Sequence, residues 1–232
     1  MLCINNILFF AQVFVVSGMC LLCRSFGLAA MVSWLCLQSI LANLLVLKMV
    51  TLFGLDVTVS DAFMIGSLFS LNLIREDYGR AACQQAILTS LFCLVVTILL
   101  FWLHMAFTPS TSDQMSQHYQ HIFSAVLPIM LVSGCVFTFV QIFDYYLFGY
   151  LKSTMGQDNL TWRLFISLAS SQVLDTALFT YWALGSWVAS FISVFFWSYA
   201  LKVMITIILS LSARLRLSTG ELFTRFSRYV QI

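Results

Sequence analysis

Gln141-Ile-Phe-Asp144-Tyr-Tyr-Leu147-Phe148-Gly-Tyr150 and Gln172-Val-Leu-Asp175-Thr-Ala-Leu178-Phe179-Thr-Tyr181 repeat one polar signature inside two long apolar runs. Gln, Asp, Leu, Phe and Tyr recur at the same spacing in both copies. On a helix, positions three apart share a face, so each Gln sits one turn from its Asp. An Asp at the centre of a membrane-spanning helix costs about 2.5–3.5 kcal/mol on insertion scales. Two helices could carry that cost simply to hold each other by interhelical hydrogen bonds. A polar site lined by both helices is the preferred reading, because one pattern occurs twice.

Outward from this stretch the composition is that of a membrane chain. Of 232 residues, 61% are hydrophobic and 9% charged, which excludes an ordinary soluble domain. Apolar runs of membrane length recur throughout, so residues 1–232 read as one all-α integral membrane domain, a polytopic helix bundle. The seven cysteines lie mostly inside apolar runs and read as small buried hydrophobes, not a disulfide framework. Cys20 and Cys23 have metal-ligand spacing without a second pair, so no metal is expected. The first run lacks a basic leader and a small-residue cleavage pattern, and reads as a retained span.

Seven spans are expected: about Leu2–Leu22, about Ala29–Phe53, about Val57–Ile74, about Ala86–Phe107, about Ile122–Leu151, about Arg163–Leu184 and about Trp187–Leu211. The positive charges test that count. Nine of the eleven Lys and Arg lie outside the spans: Arg24, Arg75, Arg80, Lys152, Arg163, Arg214, Arg216, Arg225 and Arg228. All fall in alternate connections or the tail. Under the positive-inside rule this places the amino terminus outside and the carboxyl terminus in the cytoplasm. A six-span alternative would merge or discard a segment and break the alternation. The fifth and sixth spans then run antiparallel, with both Asp residues at mid-membrane depth, as oppositely oriented elements do around transporter sites.

Two carboxylates and two carboxamides can bind a planar polar molecule. A carboxylate accepts two parallel N–H bonds, as from a guanine-like edge, and a carboxamide both donates and accepts. The neighbouring Tyr and Phe rings offer stacking faces. An amino acid or a cation would satisfy the same set. Lys202, deep in the last span, is expected to pair with Asp144 or Asp175; Lys48 lies near the outer end of its span. Thr58-Val-Ser-Asp61 has capping-box spacing, so Asp61 is expected to cap the third helix. No nucleophile arrangement and no glycine-rich phosphate loop is present, which argues against hydrolytic chemistry and an intrinsic ATPase.

With these residues in hand, the chain resembles the queuosine-precursor transporter family, of vitamin-uptake-transporter type. The resemblance rests on Asn43 and Lys48 followed by Phe53-Gly54; on Asn72 followed by Glu76, Tyr78-Gly79 and Arg80; on Ser171-Gln172 with Asp175-Thr176; and on Gln141 with Asp144 and the final-span Lys202. Asn72 stands where the family usually has Asp, and the proline usual late in the last span is absent from Ile207 to Leu215. The resemblance implies import of a deazaguanine-type base or queuine for tRNA modification across a bacterial inner membrane, with no enzyme activity and no cofactor. Gln141, Asp144, Gln172 and Asp175 would bind the solute, with Asn43, Lys48 and Lys202 completing or neutralising the site. Asn72 and Glu76 would serve coupling or gating. The expected partners are the solute and the lipid bilayer, and no nucleic acid. Two alternatives are a solute-binding subunit energised by a separate ATPase, which no motif indicates, and an intramembrane enzyme.

Overall fold

A computed structural model describes residues 2–155, 159–184 and 191–213. Its elements are α1 (Leu2–Phe26), α2 (Leu28–Leu44), β1 (Met49–Leu52), β2 (Leu55–Thr58), α3 (Asp61–Met105), α4 (Ser116–Thr154), α5 (Leu160–Leu184) and α6 (Phe191–Ser212). Gly185-Ser186, the start of the last expected span and the basic tail from Arg214 onward lie outside the described residues. Among the described residues, three helices are long and apolar enough to cross a membrane: Ile4–Phe26, Asp61–Met105 and Ser116–Thr154.

The 45 residues of α3 are two helices in one. Gly79 has φ 86° and ψ −170°, a conformation that favours glycine, and the helix breaks there into arms 61–78 and 80–105. The arms fold back on each other: Cys83 Sγ lies 3.8 Å from the Leu71 carbonyl oxygen, twelve residues earlier in the chain. A straight helix would separate these positions by roughly 18 Å. The charged segment Arg75–Arg80, read from sequence as an inter-span knot, is therefore a helical elbow with no loop. Counting the arms of α3 separately gives seven helical segments among the described residues.

The first arm of α3 is the axis of the bundle. Every residue from 65 to 75 is buried, with α1, α2, α4, α5 and α6 packed around the helix. Close approach needs small residues, and a Cβ at Gly66 would meet the side chains of Gln38 and Val16. α1 contributes the stripe Phe9, Val13, Val16 and Cys20 to the core, and Ser17 donates a 2.7 Å hydrogen bond to Ser212 of α6. On α4 the buried stripe is Phe137, Gln141, Asp144, Phe148 and Leu151, the three-and-four spacing of one helix face.

The second expected span is corrected. Its helix stops at Leu44 instead of running to Phe53, and the chain then forms an antiparallel hairpin with Leu52 paired to Leu55. Apolar runs alone do not separate a helix from a strand. The deciding features are Val50, Thr51, Val57 and Thr58, which favour strands, around Phe53-Gly54. Both turn residues have positive φ (52° and 85°), as a type I′ two-residue turn requires. Side-chain amides of α1 satisfy the hairpin's backbone. Asn5 Nδ2 donates to the Thr51 carbonyl at 3.2 Å, Asn6 Oδ1 accepts from the Phe53 N–H at 3.2 Å, and Gln12 Nε2 donates to the Val59 carbonyl at 3.1 Å. Non-helical backbone in an apolar bundle needs such partners, because unpaired peptide groups are costly there.

Candidate functional site

The two copies of the polar signature do different things. Asp144, fully buried on α4, accepts through Oδ1 from Ser167 at 2.6 Å and from Ser171 at 2.8 Å, both on α5. Asn72 of the central arm and the Arg75 guanidinium lie beside the same carboxyl. Gln141, one turn before Asp144, takes a long 3.4 Å hydrogen bond from Ser90. Several buried polar atoms of this group find no well-aligned hydrogen-bond partner within the protein: Gln141 Nε2, both amide atoms of Gln172, and Asp144 Oδ2, which faces the Asn72 amide without an aligned bond to it. An unpaired buried polar atom costs about 1–3 kcal/mol. So many unpaired atoms in one region mark a place built to meet a polar molecule.

Asp175 is engaged differently. Ser167, Ser171 and Asp175 stand four residues apart on one stripe of α5, so Asp175 lies one turn beyond the serines that hold Asp144. There it meets Lys202 of α6, with Nζ 2.6 Å from Oδ2. The expected pairing of Lys202 with one of the two aspartates is thus to Asp175. The same ammonium lies 3.4 Å from Asp61 Oδ1. This corrects the capping expectation for Asp61. No side chain caps α3, Thr58 Oγ1 is 2.9 Å from Ser60 Oγ, and the Asp61 carboxylate turns to Lys202 instead.

At the end of the bundle opposite the hairpin lies a charged network. Glu76 pairs with Arg163 at 2.9 Å and with Lys152 at 3.1 Å, and not with Arg75 or Arg80. Arg24 reaches Asp77 through two nitrogens, at 2.6 and 2.7 Å. Arg75 lies over the Tyr145 ring, 4.1 Å from its centroid, and a Cβ at Gly149 would strike its guanidinium. Arg163, read from sequence as a loop cation, is fully buried and also faces the Phe148 ring.

Of the residues expected at the site, Gln141, Asp144, Asn72 and the α5 pair Gln172 and Asp175 line the buried interior, with Lys202 joined to them through Asp175. Asn43 is buried on α2, donating to the Ser39 carbonyl at 2.7 Å, with its Oδ1 unpartnered. Lys48 is not in a helix: it is exposed, in the segment leading into the hairpin, because α2 ends four residues earlier. Tyr150 and Tyr181 point outward, 65% and 71% exposed, and offer no stacking face to the interior. Sequence reasoning missed Ser167, which the spacing to Ser171 and Asp175 marks, and Asp61, which no local pattern marks.

Against this geometry, comparison with known proteins is decisive for ancestry. A family model described as "Putative vitamin uptake transporter" matches residues 58–213. The chain belongs to this family. It is also 29% identical, over 188 residues, to a Bacillus subtilis (strain 168) protein named "Probable queuosine precursor transporter", covering 80% of this chain and 82% of the relative. No solved structure matches. The family match includes α3 to α6, and so every residue of the two aspartate clusters and Glu76 with its partners Lys152 and Arg163, while Arg24 lies outside it.

Proposed function

We propose that this chain imports a queuosine precursor, a deazaguanine-type base or queuine, for tRNA modification, and is not an enzyme. In this reading it is a multi-pass protein of a bacterial inner membrane with seven spans, amino terminus outside and carboxyl terminus cytoplasmic. The seven helical segments support that topology, as do Arg24, Lys152 and Arg163 gathered with Arg75 and Arg80 at one end of the bundle, against the single Lys48 at the hairpin end among the described residues. The relative's name supports the solute class.

The observation that carries the site is the group of unpartnered acceptors and donors around Asp144. Asp144 Oδ2 accepts an N–H from the guanine-like edge, while Oδ1 stays held by Ser167 and Ser171. Gln141 and Gln172, each with free amide valence, and Asn72 beside the Asp144 carboxyl meet the ring carbonyl and remaining ring nitrogens. Asn43, buried on α2 with its Oδ1 unpartnered, is the further candidate for contact with the solute. Asp175 already has an ammonium and leaves base recognition to Asp144. Asn72 supplies two donors and an acceptor where the resemblance leads one to expect a carboxylate, which suits a neutral base beside an already charged Asp144. Glu76 and its cations close the opposite end of the bundle.

The test uses cells that neither make queuosine nor carry an importer for its precursors. Supplied with queuine or a deazaguanine base at low concentration, cells expressing this chain regain queuosine in tRNA. Asp144→Asn, at equal membrane abundance, loses a charge-assisted hydrogen bond of about 1.5–3 kcal/mol, roughly ten- to a hundredfold in apparent affinity. Absence of queuosine with wild type, in a host able to use each precursor, overturns the assignment.

A further inference from the structure

Asp61, Asp175 and Lys202 come from three helices, α3, α5 and α6, and meet in the interior with side chains 16%, 3% and 5% exposed. Two carboxylates and one ammonium sum to a single negative charge. Among the described residues, the carboxylates within 4 Å of the Lys202 ammonium are Asp175 and Asp61, and Lys202 is the cation within that distance of either carboxylate. Tyr199, one turn before Lys202, is turned to the Ala169 carbonyl at 3.4 Å. The neighbouring hydroxyls on the two helices, Thr176 and Thr206, are neutral and buried, with no hydrogen-bond partner in the protein. The charge of this cluster therefore does not close, and an uncompensated charge in an apolar interior attracts a cation.

We infer that Asp61, Asp175 and Lys202 hold one exchangeable proton, and that its binding and release drive uptake of the base. The inference rests on the importer reading for its second half only. A proton suits the cluster better than a sodium ion, because the Lys202 ammonium already occupies the position between the carboxylates that a metal ion would take. Asp175 holds the ammonium at 2.6 Å. Asp61, at 3.4 Å, more exposed and next to the hairpin, is the carboxyl that takes the proton. Loaded, the cluster is neutral: Asp61 carboxylic acid, Asp175 carboxylate, Lys202 ammonium. Release of the proton breaks the Asp61 O–H bond and leaves one negative charge, so entry of the next proton is favoured from the side with higher acidity. The cluster stands one helical turn from Ser171 and two from Ser167, the serines that hold Asp144, close enough for solute and proton occupancy to influence each other along α5.

The decisive variant is Asp61→Asn, which neutralises the excess charge without touching the base-binding group. Two readouts are taken on the purified full chain. In infrared spectra, wild type shows a carboxylic-acid C=O band that titrates, and Asp61→Asn lacks it, whereas Asp61→Glu keeps it. In liposomes, wild type accumulates queuine by about tenfold per unit of imposed pH gradient. Asp61→Asn falls to equilibrium, onefold, while exchange of internal for external queuine continues within about twofold of wild type. A spectrum with no Asp61-dependent band overturns the proton site, whatever the solute. Accumulation by Asp61→Asn under the pH gradient, accumulation by wild type under a sodium gradient alone, or loss of exchange together with accumulation overturns the coupling role. If wild type neither exchanges nor accumulates queuine, the importer reading fails, and the infrared result still decides whether the cluster holds a proton.

Discussion

Lys202 offers the sharpest test of how the bundle is held together. Its ammonium is 5% exposed and lies 2.6 Å from Asp175 and 3.4 Å from Asp61, so water cannot replace it when it is removed. At an effective dielectric constant near 20, the shorter contact attracts by roughly 6 kcal/mol before desolvation is subtracted. Truncating one partner of a buried pair costs about 3–5 kcal/mol, because the other is left uncompensated. Lys202→Met preserves length and apolar volume and leaves two carboxylates facing each other. For a domain of this size a loss of that magnitude lowers the unfolding midpoint by roughly 6–20 °C. The assay is thermal unfolding of the purified protein in a fixed detergent, followed by size-exclusion recovery. Adding Asp175→Asn to Lys202→Met removes one of the two stranded carboxylates, the more buried one, and recovers part of the loss, which a double-mutant cycle reads directly. A Lys202→Met midpoint within about 2–4 °C of wild type, equivalent to about 1 kcal/mol, would refute the buried pair.

Three further outcomes follow from the same geometry. Gly149→Ala drives a Cβ into the Arg75 guanidinium and lowers stability by about 1–3 kcal/mol, seen as a lower unfolding midpoint, with Arg75→Ala in the same chain relieving the clash. Glu76→Gln leaves the fully buried Arg163 without its carboxylate and costs about 3–5 kcal/mol, measured as reduced recovery of folded protein, while Lys152→Ala removes a side chain that is itself one-third exposed and costs under about 1 kcal/mol. Replacing Asn5 and Gln12 together by Ala removes two hydrogen bonds to the hairpin and its exit, about 1 kcal/mol each, and speeds amide hydrogen exchange over 49–59 with little change in α4 and α5.

The helical segments were legible in the sequence because a membrane helix must be long, apolar and continuous, and because charge marks where it ends. The interior polar residues were legible for the same reason, since Gln141, Asp144, Gln172 and Asp175 are costly where they stand. The hairpin was not, because 45–59 is as apolar as the helix before it and only its β-branched residues and Phe53-Gly54 distinguish it. Asp61 looked like a cap because local spacing allows a cap, whereas its actual partner is 141 residues away on α6. Arg163 looked like a loop cation because sequence shows its charge and not the Glu76 carboxylate that allows its burial. Each miss is a contact between distant segments overriding a local preference.

The break at Gly79 has a mechanical consequence. Arms 61–78 and 80–105 meet at one residue, with no slack chain between them, and the Arg24–Asp77 and Glu76–Arg163 contacts clamp one side of the joint. A tilt of the central arm must either be absorbed by one pair of dihedrals or be passed undiminished to the next arm. The two arms therefore behave as a hinged lever and not as independent pistons. The end of that lever is Asp61, at the far tip of the same rigid rod.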